Sequence, residues 1–244
     1  MYIVDTLGFE THMRNMRKQR GEAVPDAWYK RPYAYMLFLP RSKVKKSGEE
    51  ILIPNFVEKP DYEFEIAAKF DEDFQTSDEK KAIEFVKTKM HFAIFNDLSA
   101  REHQASDMQL PLSVGPSKGI CDKAFGEWSE ARRLNFDDRG VPHLAMSLEV
   151  NDIARRHGVF HSIYFIDPVT GERKCWSFAQ VIAWFGRLNQ GFHKGTVLGS
   201  GTIGGGSIAE MLPKYPWLKD GDLIHMRADP LGFLENTVHI YAPD

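Results

Sequence analysis

Cysteine is scarce in this sequence: Cys121 and Cys175 are the only two in 244 residues. Two cannot build a disulfide framework, and their spacing is not that of a metal knuckle. Reduced thiols and a cytoplasmic setting are therefore expected. Positive charge is not in excess either. The formal net charge is −3, which leaves no basic field for nucleic acid or an anionic lipid surface. No apolar run approaches the roughly 20 residues needed to cross a membrane. The segment Met1 to Thr6 lacks the basic and apolar regions of a signal peptide. No repeat or low-complexity tract is visible. The expectation is a soluble protein with no nucleic-acid or membrane partner.

What is present is ordinary globular composition, 43% hydrophobic and 27% charged. The length suits one large domain or two small ones. Strands are predicted over 33–39, 51–53, 62–70, 91–96, 146–150, 196–198, 223–227 and 237–241. A helix is predicted from the cap at Ser77-Asp78-Glu79 to Met90, and a second from Ser177 to about Gly191. In the second, Phe178, Val181, Ile182, Phe185 and Leu188 share one face. Residues 1–20 read as a loop and short helix, and 117–145 as a charged, irregular loop or insertion. The helices do not alternate with the strands. That argues against a doubly wound parallel sheet and for a β-rich α+β body.

Three constellations could carry chemistry. In Asp61-Tyr62-Glu63-Phe64-Glu65-Ile66 the polar and apolar residues alternate, so Glu63 and Glu65 share one face of a half-buried strand. Two adjacent anions suit a hard cation; alternatively they form a solvated strand face. The run Asn96-Asp97-Leu98-Ser99-Ala100-Arg101-Glu102-His103-Gln104 ends an apolar strand. If it turns helical, Arg101 and Gln104 join Asp97 on one face; the plain alternative is a helix cap with a surface ion pair. Residues 195–206 hold six glycines, around Thr202. They let a backbone approach something closely, or form a mobile surface loop. The lysine of a phosphate loop is missing, and neither the strand nor the long helix of a dinucleotide fingerprint is convincing.

Taken in order, Tyr62-Glu63-Phe64-Glu65-Ile66-Ala67, Asn96 to Gln104, Gly199-Ser200-Gly201-Thr202-Ile203-Gly204-Gly205-Gly206 and Trp217-Leu218-Lys219-Asp220-Gly221-Asp222 resemble the fumarylacetoacetate hydrolase superfamily. The resemblance spans about Asp5 to Val238 and is weakest over 105–145. It implies a mixed, rolled β-sandwich, a homodimer, and a divalent cation in a cleft. Its ligands would be Asp5, Glu63, Glu65 and Asp97. Mg²⁺ is expected, with Ca²⁺ or Mn²⁺ as alternatives. His12 matches the family's catalytic histidine and Glu210 the acid that orients it. Arg101, Gln104, Tyr35 and Thr202 match substrate-contacting positions. The family's lysine follows a Gly-Pro pair. Counting from Gly115-Pro116 without a gap reaches Ile120. A three-residue insertion brings in Lys123, which Lys123-Ala124-Phe125-Gly126 favours over Lys118. The resemblance implies the catalytic module alone, without the N-terminal domain of the long hydrolases. Residues 1–244 are expected to form a single catalytic domain, in which 1–50 contribute to the active site and 51–244 form the body.

The resemblance implies a metal-dependent hydrolase that cleaves a carbon–carbon bond of a β-diketo acid such as an acylpyruvate. His12 would activate water, Lys123 and Gln104 would stabilise the oxyanion, and Arg101 would grip the substrate carboxylate. Isomerisation, tautomerisation or decarboxylation of a keto or enol dicarboxylate on the same metal site is the alternative. A second is a keto-acid-binding module without catalysis.

Overall fold

The computed structural model of the protein describes residues 1–109 and 115–243. Part of the weakly matching stretch 105–145 thus lies outside the described residues. The strands are β1 (Tyr2–Thr6), β2 (Ala34–Phe38), β3 (Val44–Lys46), β4 (Ile51–Pro54), β5 (Pro60–Asp61), β6 (Phe64–Phe70), β7 (Met90–Asn96), β8 (Ser99–Ala100), β9 (Lys123–Phe125), β10 (Ser129–Glu130), β11 (Ala145–Val150), β12 (Ile153–Val159), β13 (Tyr164–Ile166), β14 (Arg173–Cys175), β15 (Val197–Gly199), β16 (Leu223–Asp229) and β17 (Gly232–Tyr241). The α-helices are α1 (Glu10–Lys18), α2 (Asp26–Lys30), α3 (Glu79–Lys89), α4 (Arg101–Asp107), α5 (Gly115–Lys118), α6 (Phe178–Arg187) and α7 (Ile208–Met211).

Two sheets carry the fold. One runs β2-β1-β15-β6-β7-β9-β3 with β10 added to β7; the other runs β12-β11-β16-β17-β4. Ile66, Phe92 and Ile94 from the first pack in one core with Leu148, Met226 and Leu234 from the second. This is the strand-rich α+β architecture expected. The first sheet has a second apolar cluster on its other face, with Ile3, Leu37, Ala67, Phe95, Phe125 and Val197. Consequently β6 is buried on both faces, not half-buried as the alternation suggested. The regular strand also begins at Phe64, with Glu63 held by an isolated bridge to Ser207.

The two long helices form where caps and apolar spacing place them. The Asp78 side chain accepts from the Lys80 and Lys81 amides, and Ala82, Phe85 and Val86 face inward. Ser177 and Gln180 close a capping box on α6. The first residues were not legible as a strand. Five residues of β1 gain their stability from a parallel partner, β15, almost 200 residues away in the chain, and local pattern carries no trace of that pairing. No helix of the described residues is long and apolar enough to cross a membrane.

Candidate active site

The second apolar face becomes charged at one end of its sheet. Ile3, Leu37, Ala67, Phe95 and Phe125 all belong to it. Side chains two apart on a strand point the same way. Asp5, Tyr35, Glu65, Asp97 and Lys123, each two residues from one of these, therefore share that face. Strand direction puts them together at one edge: Asp5 pairs with Tyr35 across β1–β2, and the Asp97 amide bonds Glu63 O at 3.1 Å. Between β1 and β6 runs β15, with Gly199 opposite Asp5. A Cβ at 199 would stand 2.1 Å from Asp5 Oδ1 and 3.2 Å from Glu65 Oε2. Glycine there is what lets two carboxylates meet. The Gly201 amide faces both, 3.1 Å from Glu65 Oε2 and 3.3 Å from Asp5 Oδ1, and Thr202 Oγ1 donates to Glu65 Oε1 at 3.2 Å.

Asp5, Glu65 and Asp97 each place an oxygen within 4.8 Å of the others, and all three are buried. Burial, then the Asp97 charge, pushes the Asp5 carboxyl up to about 6. Burial, then Asp5 and Asp97, raises Glu65 well above the usual carboxylate range. Oxygens on opposite sides of Mg²⁺ or Ca²⁺ lie roughly 4–5 Å apart. The spacing, the oxygen-only donor set and the mutual repulsion therefore fit a divalent cation.

Glu63 stands differently. Burial pushes its carboxyl up, but Arg101 and Lys118 outweigh this and hold it well below the usual range. Arg101 Nη2 is 2.8 Å from Glu63 Oε1, and Ser99 Oγ donates to Oε2 at 3.1 Å. Lys118 bridges Glu63 and Asp97, touching Glu63 Oε2 and lying 2.5 Å from Asp97 Oδ2. Tyr35 OH donates to the same Asp97 oxygen at 2.5 Å.

A cavity of about 180 Å³ opens on this cluster, and His12, Tyr35, Gln104, Lys118 and Thr202 all line it. His12 Nδ1 is 2.9 Å from Glu210 Oε2. Glu210 also accepts from the Gly205 amide (2.8 Å), Ser207 Oγ (3.1 Å) and Asn15 (3.0 Å). Burial pushes Glu210 up, but His12 and these donors bring it below its ordinary value.

The structure thus gathers every candidate residue into one region, with three changes. Glu63, expected as a fourth metal ligand, stands outside the carboxylate triad because Arg101 and Lys118 hold it as an ion pair. Lys118, not Lys123, faces the cavity; Lys123 is fully buried, 2.7 Å from Asp97 Oδ1, and is not part of the cavity wall. Arg101 lines the cavity but its guanidinium is committed to Asp61 (2.7 Å), Glu63 (2.8 Å) and Gln104 Oε1 (2.9 Å). It leaves the Gln104 amide N–H groups for the cavity. Sequence reasoning passed over Asp61, which also accepts from the Ile208 and Ala209 amides at 2.7 and 3.1 Å and so fixes α7 and Glu210. Its signal was there, two residues before Glu63 in the same alternation. Met13, Met16, Met108 and Arg20, also on the cavity wall, carried no signal.

The chain matches the family model described as fumarylacetoacetate (FAA) hydrolase C-terminal over residues 2–239. An uncharacterised Archaeoglobus fulgidus protein is 22% identical over 207 residues, 84% of this chain and 70% of that one. Among solved structures, a Pseudomonas aeruginosa fumarylpyruvate hydrolase in complex with Mn²⁺ and pyruvate superposes with a TM-score of 0.70 at 18% identity, over 98% of this chain and 89% of that one. A Mycobacterium smegmatis 5-carboxymethyl-2-hydroxymuconate delta-isomerase gives 0.67 at 18% identity, over 99% and 80%. At such identities the superpositions establish a shared fold. The family model, matched across nearly the whole length, establishes more: this chain belongs to the fumarylacetoacetate hydrolase family, in the type of its C-terminal domain.

Proposed function

We propose that the protein is a divalent-metal-dependent hydrolase that cleaves a carbon–carbon bond of a small β-diketo acid, an acylpyruvate being the simplest. The observation that carries this reading is His12 on the wall of the cavity that Asp5, Glu63 and Glu65 also line, with Glu210 held 2.9 Å behind it. Isomerisation or decarboxylation needs no group to activate water; hydrolysis does.

Asp5, Glu65 and Asp97 would hold a divalent ion, which when bound would supply Lewis-acid polarisation of the substrate's keto oxygens. We take Mg²⁺ as that ion, with Mn²⁺ and Ca²⁺ able to replace it. His12 Nδ1 is committed to Glu210, so Nε2 takes the proton from water as the water oxygen bonds to the distal carbonyl carbon. The Gln104 amide donates to the carbonyl oxygen as it gains charge, and the Lys118 ammonium, whose own N–H groups go to Glu63, Asp97 and Ser99, adds its positive charge beside it. When the carbon–carbon bond breaks, the pair remains on the leaving fragment, and His12 returns its proton to that carbon. Tyr35 fixes Asp97. Thr202 and Gly201 fix Glu65. Arg101 holds Glu63 and Gln104 in place.

The Mycobacterium smegmatis isomerase among the structural neighbours favours a second reading, isomerisation on the same metal site. A panel of acylpyruvates, oxaloacetate and unsaturated hydroxydioates with Mg²⁺ or Mn²⁺ separates the two. Two carboxylic fragments in equal amount support hydrolysis, and an isomer of unchanged mass refutes it. His12→Ala is expected to abolish fragment release while metal binding, followed by calorimetry, persists.

A further inference from the structure

A second and larger groove lies away from the carboxylates. Its volume is about 770 Å³, and it is formed by α2, the β13–β14 hairpin and α6. Its charge is unlike that of the chain. Lys30, Arg139, Arg173, Lys174 and Arg187 line it against two carboxylates, Glu79 and Glu172, in a protein of net charge −3. Lys174 is paired with Asp167 at 2.7 Å, and Arg173 stacks on Tyr164 at 3.7 Å. The side chains of Lys30, Arg139 and Arg187 make no hydrogen bond or ion pair with the described residues. They come from α2, a turn ahead of β11, and α6, so this is not one solvated helix face. With five cations against two carboxylates the groove is net positive, and its unpaired cations favour an anion.

The walls are aromatic and fixed. Half-buried Trp176 and Trp184 both line the groove. Trp176 Nε1 donates to Trp28 O at 3.1 Å, and Trp28 Nε1 in turn to Leu7 O at 2.8 Å. Tyr29, on the same wall, donates to Glu10 at 2.5 Å. Indole faces offer stacking area to a flat ring, and a wall held by such bonds is formed before the ligand arrives.

We infer that this groove binds a planar aromatic anion, its ring against Trp176 or Trp184 and its charged end at Lys30, Arg139 and Arg187. A nucleoside phosphate and an aromatic dicarboxylate share that chemistry. The test is quenching of tryptophan fluorescence on titration with AMP and, separately, with phthalate, beside inorganic phosphate as control. At least one aromatic anion is expected to quench saturably, with half-saturation below about 1 mM, and inorganic phosphate is expected not to. Which of the two binds identifies the source. Arg187→Glu and Lys30→Glu, both exposed positions, should each weaken binding at least about tenfold while melting as the parent does, since a cation near the charged end becomes an anion. The inference is overturned if neither aromatic anion quenches, if phosphate alone competes with equal strength, or if both reversals leave the affinity unchanged.

Discussion

Replacing Asp5 by asparagine should make the metal-free protein more stable and at the same time remove its response to metal. In the fold, burial and Asp97 raise the Asp5 carboxyl from 3.8 to about 6. Between those values the folded chain keeps a proton that the unfolded chain has released. The Asp5 contribution to stability therefore falls as pH rises through this window, and its deficit is complete above about pH 6. A shift of about 2 pH units corresponds to about 3 kcal/mol. Asparagine never ionises, so Asp5→Asn avoids that deficit. For a chain of this size the gain is roughly 6–12 °C in Tm. The assay is calorimetric melting in EDTA at pH 7.5 and at pH 4. The variant should melt higher at pH 7.5, and its advantage should shrink towards zero at pH 4. Addition of Mn²⁺ at pH 7.5 should raise the wild-type Tm and leave the variant nearly unmoved. A metal-free variant that melts below wild type at pH 7.5 would refute the reasoning, because Asp5 would then be compensated by the nearby lysines rather than strained by its neighbours.

Lys118→Met removes a cation from the cavity wall without removing a ligand of the triad; kcat is expected to fall about 10²–10³-fold while calorimetric Mn²⁺ binding survives. Gly199→Ala forces a methyl group to 2.1 Å from Asp5 Oδ1, so Mn²⁺ affinity should collapse although circular dichroism reports an intact fold. Glu210→Gln leaves His12 without its acidic partner; steady-state kinetics should give a kcat lowered about a hundredfold or more with KM little changed.

Much of this architecture was readable where local chemistry dictates structure. The caps at Asp78 and Ser177 and the apolar spacing after them fixed both long helices. The alternation from Asp61 to Glu65 put the acids on one face, and Arg101 does reach Gln104 one helical turn on, with Nη1 2.9 Å from its oxygen. What stayed hidden depends on partners distant in the chain. A lone aspartate at position 5 has no local pattern and entered only through the family resemblance; its place is explained when β15 carries Gly199 alongside it. The commitment of Arg101 to Asp61 was not legible either, because it arises from folding. The choice between Lys118 and Lys123 turned on where α5 ends and β9 begins, since Lys118 closes the helix and Lys123 opens the strand. The preceding Gly-Pro pair could not decide it, because α5 is only four residues long and its register is set by tertiary contact.

The central claim, that acids far apart in sequence surround one cation, is tested most directly by anomalous diffraction from crystals soaked in Mn²⁺. A single strong peak within bonding distance of oxygens from Asp5, Glu65 and Asp97 is expected. A map with no peak there, and with Lys118 still bridging Glu63 and Asp97 at saturating Mn²⁺, contradicts it.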